Sequence, residues 1–403
     1  MKTWDCIRSI YQGIRVPCIL LTGIMTAALF ITTVAFGHYR YFTFSRDGFQ
    51  NAGLEKAYYV THFGSIKPGQ EEIEQEIAKT RGLPGVKKVL YDTAVSRFLY
   101  QGKGWSITLL SEEICEAFPL DLHNGRNFSA TGMTEDGKLE VIVAGKEFSD
   151  IPIGEAFALQ TDKEDTFIHV LMAGRLRYPY FHIDFSSAGD IAANDFFSPS
   201  TVIFAKDTSQ TRAYLEAMAP NIQYTTSTNY FVVFSEEATS EQMAAYREET
   251  EKNCYILSYQ EILDATDERI EDSLSTCVPL PAFLLFLSTV SLFSISVIII
   301  YRKASENSIW YLCGCSRRRG MGLVFACIGI LGVIASLLNA LFIVLYPVLG
   351  DYGILSFPQF YVDRWSLLPI VGYMLLTLLV VFVTSLMLQR QASPLELLRR
   401  LDQ

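Results

Sequence analysis

Five histidines, eight cysteines and a dense set of carboxylates are the side chains of this 403-residue chain that could do chemistry. His38, His62, His123, His169 and His182 show neither H-E-x-x-H nor H-x3-H spacing, so no helix presents two imidazoles to a zinc ion in that way. No G-x-S-x-G elbow is present, and no G-x-x-x-x-G-K-[ST] loop offers a phosphate cradle. The cysteines fall at 6, 18, 115, 254, 277, 313, 315 and 327. Cys313 and Cys315 form C-x-C, but two thiols do not complete a tetrahedral zinc site. Cys115 and Cys254 share one long segment, and the sequence leaves open whether they are bonded. "QEEIEQE" (70–76) is rich in carboxylates. Consecutive helix positions point in different directions, so it reads as a solvated face and not a cation site. These patterns give no catalytic residues, no cofactor and no metal site, and the chain reads as a non-enzyme.

One stretch is organised for contact instead. "ENSIWYLCGCSRRRG" (306–320) sits between two apolar runs. Ser305 suits a helix N-cap, and Glu306 in the first turn suits the positive helix end. Gly314 suits the position just past a helix end. Ile309, Leu312 and Cys313 then share a face with Trp310 beside it, a pattern that suits docking or, since Trp and Tyr also gather there, a membrane-interface connector. Arg317, Arg318 and Arg319 follow, placed to meet lipid phosphates at a membrane surface.

The elements around this stretch are membrane spans. Residues 17–36, 277–301, 321–346 and 366–388 contain no Asp, Glu, Lys, Arg or His. Each is at least as long as the roughly 20 residues a helix needs to cross a bilayer core. The first is long for the apolar core of a cleaved leader, so it reads as a retained anchor. Charge-free spans offer no ionisable pathway, so they read as packing and force-transmitting helices and not as a polar conduit. Small residues recur at Gly332, Ser336 and Ala340, and at Gly23 and Ala27, a spacing that permits close helix approach. Of the net charge of −10, residues 37–276 carry −16, from 21 Lys and Arg against 37 Asp and Glu. The remainder is basic, and its cations cluster at 2–15, 302–319 and 390–400. The positive-inside rule therefore puts both termini and the 302–320 loop in the cytoplasm and the acidic segment outside. Its acidic surface argues against nucleic acid as a partner.

The resulting plan is an α-helical membrane protein with four spans. It runs from a juxtamembrane helix (1–16) through span one (17–36) to an outside domain (37–276). Span two (277–301), a cytoplasmic loop (302–320), span three (321–346), an outside loop (347–365), span four (366–388) and a tail (389–403) follow. The outside domain is mixed α/β. Strands are expected at 54–63, 84–93, 200–207, 230–237 and 253–258. Helices are expected at 65–82, stopping at Gly82, at 240–252 with Ser240 as N-cap, and at 259–274. The stretch 119–195 is β-rich and broken by Gly, Asp and Asn, and reads as a lobe inserted into an α/β lobe built from both ends.

This order of elements resembles the MacB/FtsX-like ABC transporter permeases over essentially the whole chain. "LPGVKKVLY" (83–91) is similar to the family's helix–LPGV–strand element. "LDLHNGRNF" (120–128) and "EVIVAGKEFSDIPIGEAFAL" (140–159) are similar to its G-R-x-F segment and the piece that follows. "SIWYLCGCSRRRGMG" (308–322) and "SPLELLRR" (393–400) are similar to its cytoplasmic loop and tail. The loop departs from the usual acidic–glycine pattern and is rich in aromatics and cysteine. The outside domain is larger than that of FtsX, which favours the MacB and lipoprotein-extraction branches. The resemblance implies one permease subunit in the cell membrane, pairing with a second permease copy or paralogue and with a separate cytoplasmic ABC ATPase. Residues 306–314 would be the coupling helix. The implied work is export or extraction of a peptide, lipid-linked or amphiphilic substrate. Mechanical signalling to a cell-wall hydrolase, and a membrane-anchored receptor or adhesion module without ATPase, are the alternative readings.

Overall fold

The structure is a computed structural model that describes residues 15–62, 68–161, 166–185, 191–219, 222–302, 316–355, 357 and 359–391. The chain divides into two compact units. One contains Met1–Arg40, Asp272–Tyr346 and Phe360–Gln403, and the other Tyr41–Glu271 and Pro347–Gln359.

Among the described residues, four helices are long and apolar enough to cross a membrane. They are α1 (Arg15–Gln50), α7 (Pro279–Arg302), α8 (Arg317–Asp351) and α9 (Leu368–Gln391). They pack through Leu21, Met25 and Leu29 of α1, Leu292 of α7, Ile328, Leu331 and Ala335 of α8, and Tyr373 and Val381 of α9. Large apolar side chains also point outward, among them Leu20, Phe286, Leu337 and Phe382. A helix apolar on every side cannot satisfy water on any face, and this is a multi-pass membrane protein. Several polar side chains inside the bundle bond to backbone. Asn339 Nδ2 donates to the Ala335 carbonyl at 2.9 Å and to that of Thr26 at 3.3 Å. Ser296 and Thr33 donate to carbonyls four residues back, which removes the cost of unpaired hydroxyls in hydrocarbon. Gly332 lies where α8 meets its neighbours: a Cβ there would stand 2.4 Å from Thr377 Cγ2 and 3.4 Å from Met25 Cε. Ser336 is buried too, whereas Gly23 is exposed with no neighbour in reach. The small residues of the third span therefore serve packing within the chain, and those of the first do not. Beyond the first apolar run, Arg40 bonds the Asp363 carboxylate at 2.7 Å. Asp363 also accepts from the amides of Trp365 and Ser366, capping the turn before α9.

The second unit holds two principal sheets. Strands β1 (Ala57–His62), β2 (Val86–Leu90), β13 (Tyr230–Phe234) and β14 (Cys254–Ser258) form an antiparallel sheet in the order β14-β1-β13-β2. Alternation is strict but both faces are buried. Tyr58, Val60, Tyr230 and Val232 meet Ile73 and Ile77 of α2 (Gln70–Arg81). Tyr59, Phe231 and Val233 face the other way, toward Phe49 of α1 and Ile262 of α6 (Tyr259–Cys277). Gly82 caps α2 as expected. In the helix that follows the sheet's third strand, Ser240–Thr250, the cap lies one residue earlier than expected. Thr239 is the N-cap, in a capping box with Gln242.

The larger sheet draws on Thr93 to Thr226, and so on more chain than the expected inserted stretch. Its members are β3 (Thr93–Tyr100), β4 (Lys103–Leu110), β5 (Leu122–Gly125), β6 (Leu139–Ala144), β7 (Ala156–Thr161), β8 (Phe167–Leu176), β11 (Val202–Lys206) and β12 (Gln223–Thr226). The path runs β12-β3-β4-β11-β6-β8-β5, and β7 pairs with both β3 and β8. That pairing closes six strands into a barrel, removing two open edges. Its interior holds Val95, Phe98, Ile107, Leu109, Val141, Val143, Leu159, Val170 and Ile203. A two-stranded ribbon of β9 (His182–Ile183) and β10 (Phe197–Ser198) completes the strands, with helices α3 (Glu112–Ala117), α4 (Ser209–Met218) and α5 (Ser240–Thr250) beside them.

Candidate functional site

The docking residues expected from sequence, Glu306, Ile309, Trp310, Leu312, Cys313 and Gly314, lie outside the described residues. Arg317, Arg318 and Arg319 form the first turn of α8, and the Arg319 side chain is exposed.

Two of the quoted sequence elements acquire a physical reason. In Leu83–Val86 the Val86 amide donates to the Leu83 carbonyl at 3.2 Å, with Pro84 second and Gly85 third at φ +84°. A type II turn needs a positive φ at its third residue, which glycine adopts freely, and this turn joins α2 to β2. In the second element Gly125 has φ +95°, and a Cβ there would stand 2.3 Å from the Ala173 carbonyl oxygen. The next residue, Arg126, reaches Glu140, the start of the third quoted element, at 2.5 Å. Glu140 is 1% exposed and also accepts from the Ser129 amide at 2.7 Å. The two elements are thus joined by one buried carboxylate.

A cluster in the smaller sheet was not expected. His62 ends β1 and Cys254 opens β14, and the register makes them cross-strand partners, so both side chains leave the same face. Glu76 of α2 covers that face. It stands one turn after Ile73 and one before Thr80, both buried, and so lies on the packed stripe of its helix. The solvated reading of this carboxylate is corrected: Glu76 is half-buried and bonded on both oxygens. His62 Nε2 lies 3.0 Å from Oε2, and Tyr230 donates to Oε1 at 2.6 Å. Nitrogen, oxygen and sulfur donor atoms of His62, Glu76 and Cys254 all lie within 4.8 Å of one another. His62 Nδ1 sits 2.8 Å from the Thr228 carbonyl. A carbonyl only accepts, so Nδ1 carries a proton, and Nε2 is the atom turned toward Glu76.

The electrostatics follow from this arrangement. Hydrogen bonding to Cys254 and to Glu76 outweighs burial and lifts the His62 imidazole to about 10. Burial alone would raise the Glu76 carboxyl, but His62 and Tyr230 outweigh it and hold it below the usual range. The cluster opens on a cleft of about 850 Å³ lined also by Glu72, Lys79 and Tyr246. It is not a nucleophile–base–acid relay, which needs the thiol and the carboxylate on opposite ring nitrogens. Here the carboxylate is on Nε2 and the other ring nitrogen is taken by the Thr228 carbonyl. Three unlike donors converging on one point are suited to a cation or a shared proton.

Cys115 and Cys254 both carry free thiols, one beside the core shared with α1 and the other in the core under α2.

Among solved structures, this chain is similar to the periplasmic region of MacB from Actinobacillus actinomycetemcomitans. The identity is 10% and the TM-score 0.32, over 55% of this chain and 94% of that one. It is also similar to the extracellular domain of the noncanonic ABC-type transporter YknZ from Gram-positive bacteria. There the identity is 14% and the TM-score 0.29, over 50% of this chain and all of that one. No family model and no curated protein matches the chain.

Proposed function

We propose that this chain is the permease subunit of an ABC transporter. A separate cytoplasmic ATPase hydrolyses ATP, and the chain carries the resulting movement to its outside domain. The observation that carries this reading is how the domain is connected. α1 runs unbroken for 36 residues from the first apolar run to Phe49, a residue of the domain core. At the other end α6 and α7 are separated only by Val278 and read together as one 41-residue helical stretch. Helices transmit displacement along their axes, whereas flexible linkers absorb it. A receptor tethered by loops would have no need of such connections.

The remaining assignments follow from the sequence. Both termini and the 302–320 loop are cytoplasmic, by the positive-inside rule. Residues 306–314 dock on the ATPase, and Arg317–Arg319 hold the start of α8 at the lipid phosphates. A second permease copy is expected to meet the exposed groove of about 810 Å³ between α1 and α8, lined by Ile19, Gly23, Ala27, Ile334 and Leu338. The cargo class is a peptide, a lipid-linked molecule or another amphiphile, because the spans offer no charged path for an ion.

The docking assignment is tested by the Ile309→Ala, Trp310→Ala double variant. Truncating one interface anchor costs roughly 2 kcal/mol or more, so the variant should insert and fold but lose its ATPase on purification. Recovery of the ATPase at wild-type yield would leave residues 306–314 as a membrane-surface connector only.

A further inference from the structure

We propose that His62 Nε2, Glu76 Oε2 and Cys254 Sγ form a binding site for a zinc-class divalent cation, with a fourth position open to the cleft. The site is independent of the transport reading, since it lies wholly within one sheet and its covering helix.

The donor set is the first argument. Imidazole nitrogen, carboxylate oxygen and thiolate sulfur are the three protein donors zinc accepts, and three of them with one open position is a recurring zinc arrangement. A hard cation such as calcium or magnesium would not select a thiol or an imidazole. Convergence is the second argument. The donor atoms lie within 4.8 Å of one another on three different elements. A tetrahedral zinc needs its ligands only slightly closer, and side-chain torsions of Glu76 and Cys254 can supply the adjustment.

The surrounding shell is the third and most specific argument. A ligating histidine almost always donates its other ring N–H to a carbonyl or carboxylate, which fixes the tautomer and aims the ligating nitrogen. His62 does this through Nδ1 to Thr228. A ligating carboxylate is in turn held by a hydrogen bond on its free oxygen, and Tyr230 does this for Glu76. Tyr230 is fully buried and Cys254 is 4% exposed, so the donors are held by packing. The cleft leaves one side reachable, so a water or a donor atom of a bound molecule can complete the shell. Binding displaces the proton on Nε2 and that on the Cys254 thiol, and both leave to solvent. The cation would tie α2 to the edge strand β14 through β1.

The test uses the full chain in detergent, without a histidine tag, stripped with chelator and titrated with cobalt(II) and then zinc(II). One cobalt per chain is expected, with thiolate-to-cobalt charge-transfer absorption that stoichiometric zinc abolishes. Cys254→Ser should remove the charge-transfer band, and His62→Gln should weaken binding at least about tenfold. Tyr230→Phe, which touches no metal, should weaken it by about tenfold through the lost hydrogen bond to Glu76. Cys313→Ser with Cys315→Ser should leave the band unchanged. Failure of the wild-type chain to take up cobalt or zinc stoichiometrically would overturn the proposal and leave a protonated histidine clamp. So would a band that survives in Cys254→Ser or vanishes in the Cys313, Cys315 variant. Should Cys254→Ser fail to fold, wild-type uptake and the Tyr230→Phe affinity still decide the matter.

Discussion

Glu140 has 1% of its side chain exposed, and it is the one acceptor on which Arg126 and the Ser129 amide meet. Burial alone would raise its carboxyl, but hydrogen bonds from Arg126 and Ser129 outweigh burial and hold it below the usual range. The folded value thus lies below the unfolded one. The stabilisation is present above about pH 4.3, the ordinary glutamate value, and is lost as pH falls through the folded value. Arg126→Ala should lower stability by about 1.5 kcal/mol near pH 7, a low figure because the arginine itself is 56% exposed. Urea denaturation should show the gap between wild type and variant narrowing below about pH 4. An equal gap at both pH values would mean that the ion pair contributes nothing. The Gly-Arg pattern was read through the family resemblance alone, without its bond to Glu140. The cluster of His62, Glu76 and Cys254 was not legible in the sequence. Their meeting depends on the register of β1 against β14, and no local pattern encodes a register between strands so far apart in the chain. One signal was available: Glu76 sits between Ile73 and Thr80 on the buried stripe of its helix.

Elements were read best where a single physical rule dominates. Charge-free runs gave the four spans, because ionisable groups are excluded from hydrocarbon, and runs rich in β-branched and aromatic residues gave β1, β13 and β14. Pairing within the barrel was hidden, since β7 closes it by joining β3 and β8, and closure is a property of six strands together. The exact cap of α5 was also missed, because Thr239 and Ser240 are both good caps and only the bond from Gln242 distinguishes them. Thr239→Ala should therefore cost about 1 kcal/mol, and Ser240→Ala only a few tenths. Reversed magnitudes in thermal melts would restore the serine cap. In the membrane unit, Gly332→Leu should destabilise by about 1–3 kcal/mol through overpacking against Thr377. Gly372→Leu, which meets nothing within 4 Å, should be close to neutral by comparison. Thermal inactivation of the detergent-solubilised chain measures both. Equal effects would show that α8 does not pack closely at Gly332.

At the scale of the whole molecule, the second unit is not the 37–276 segment alone: it takes Tyr41–Glu271 from it. It also takes in Pro347–Gln359, from the connection between α8 and α9. Tyr180 donates a hydrogen bond to Asp351, and Gly350 is packed tightly on the Tyr178 ring. The isolated 37–276 segment has its own cores and should fold cooperatively, as followed by circular dichroism. Adding the 347–359 peptide in excess should raise its melting temperature, and Asp351→Ala in that peptide should abolish the rise. No change with the wild-type peptide would mean these contacts contribute nothing to the domain.

On the function proposed above, this chain works as the membrane partner of a separate ATPase. The most direct test of that function is purification of the full-length chain from its own membranes in mild detergent, with mass spectrometry of the co-purifying proteins and an assay of ATP hydrolysis. An ATP-binding-cassette subunit should co-purify in stoichiometric amount, with hydrolysis that follows it through the final column. A chain that elutes with no ATPase subunit and no hydrolysis, from membranes shown to contain such subunits, would contradict that function.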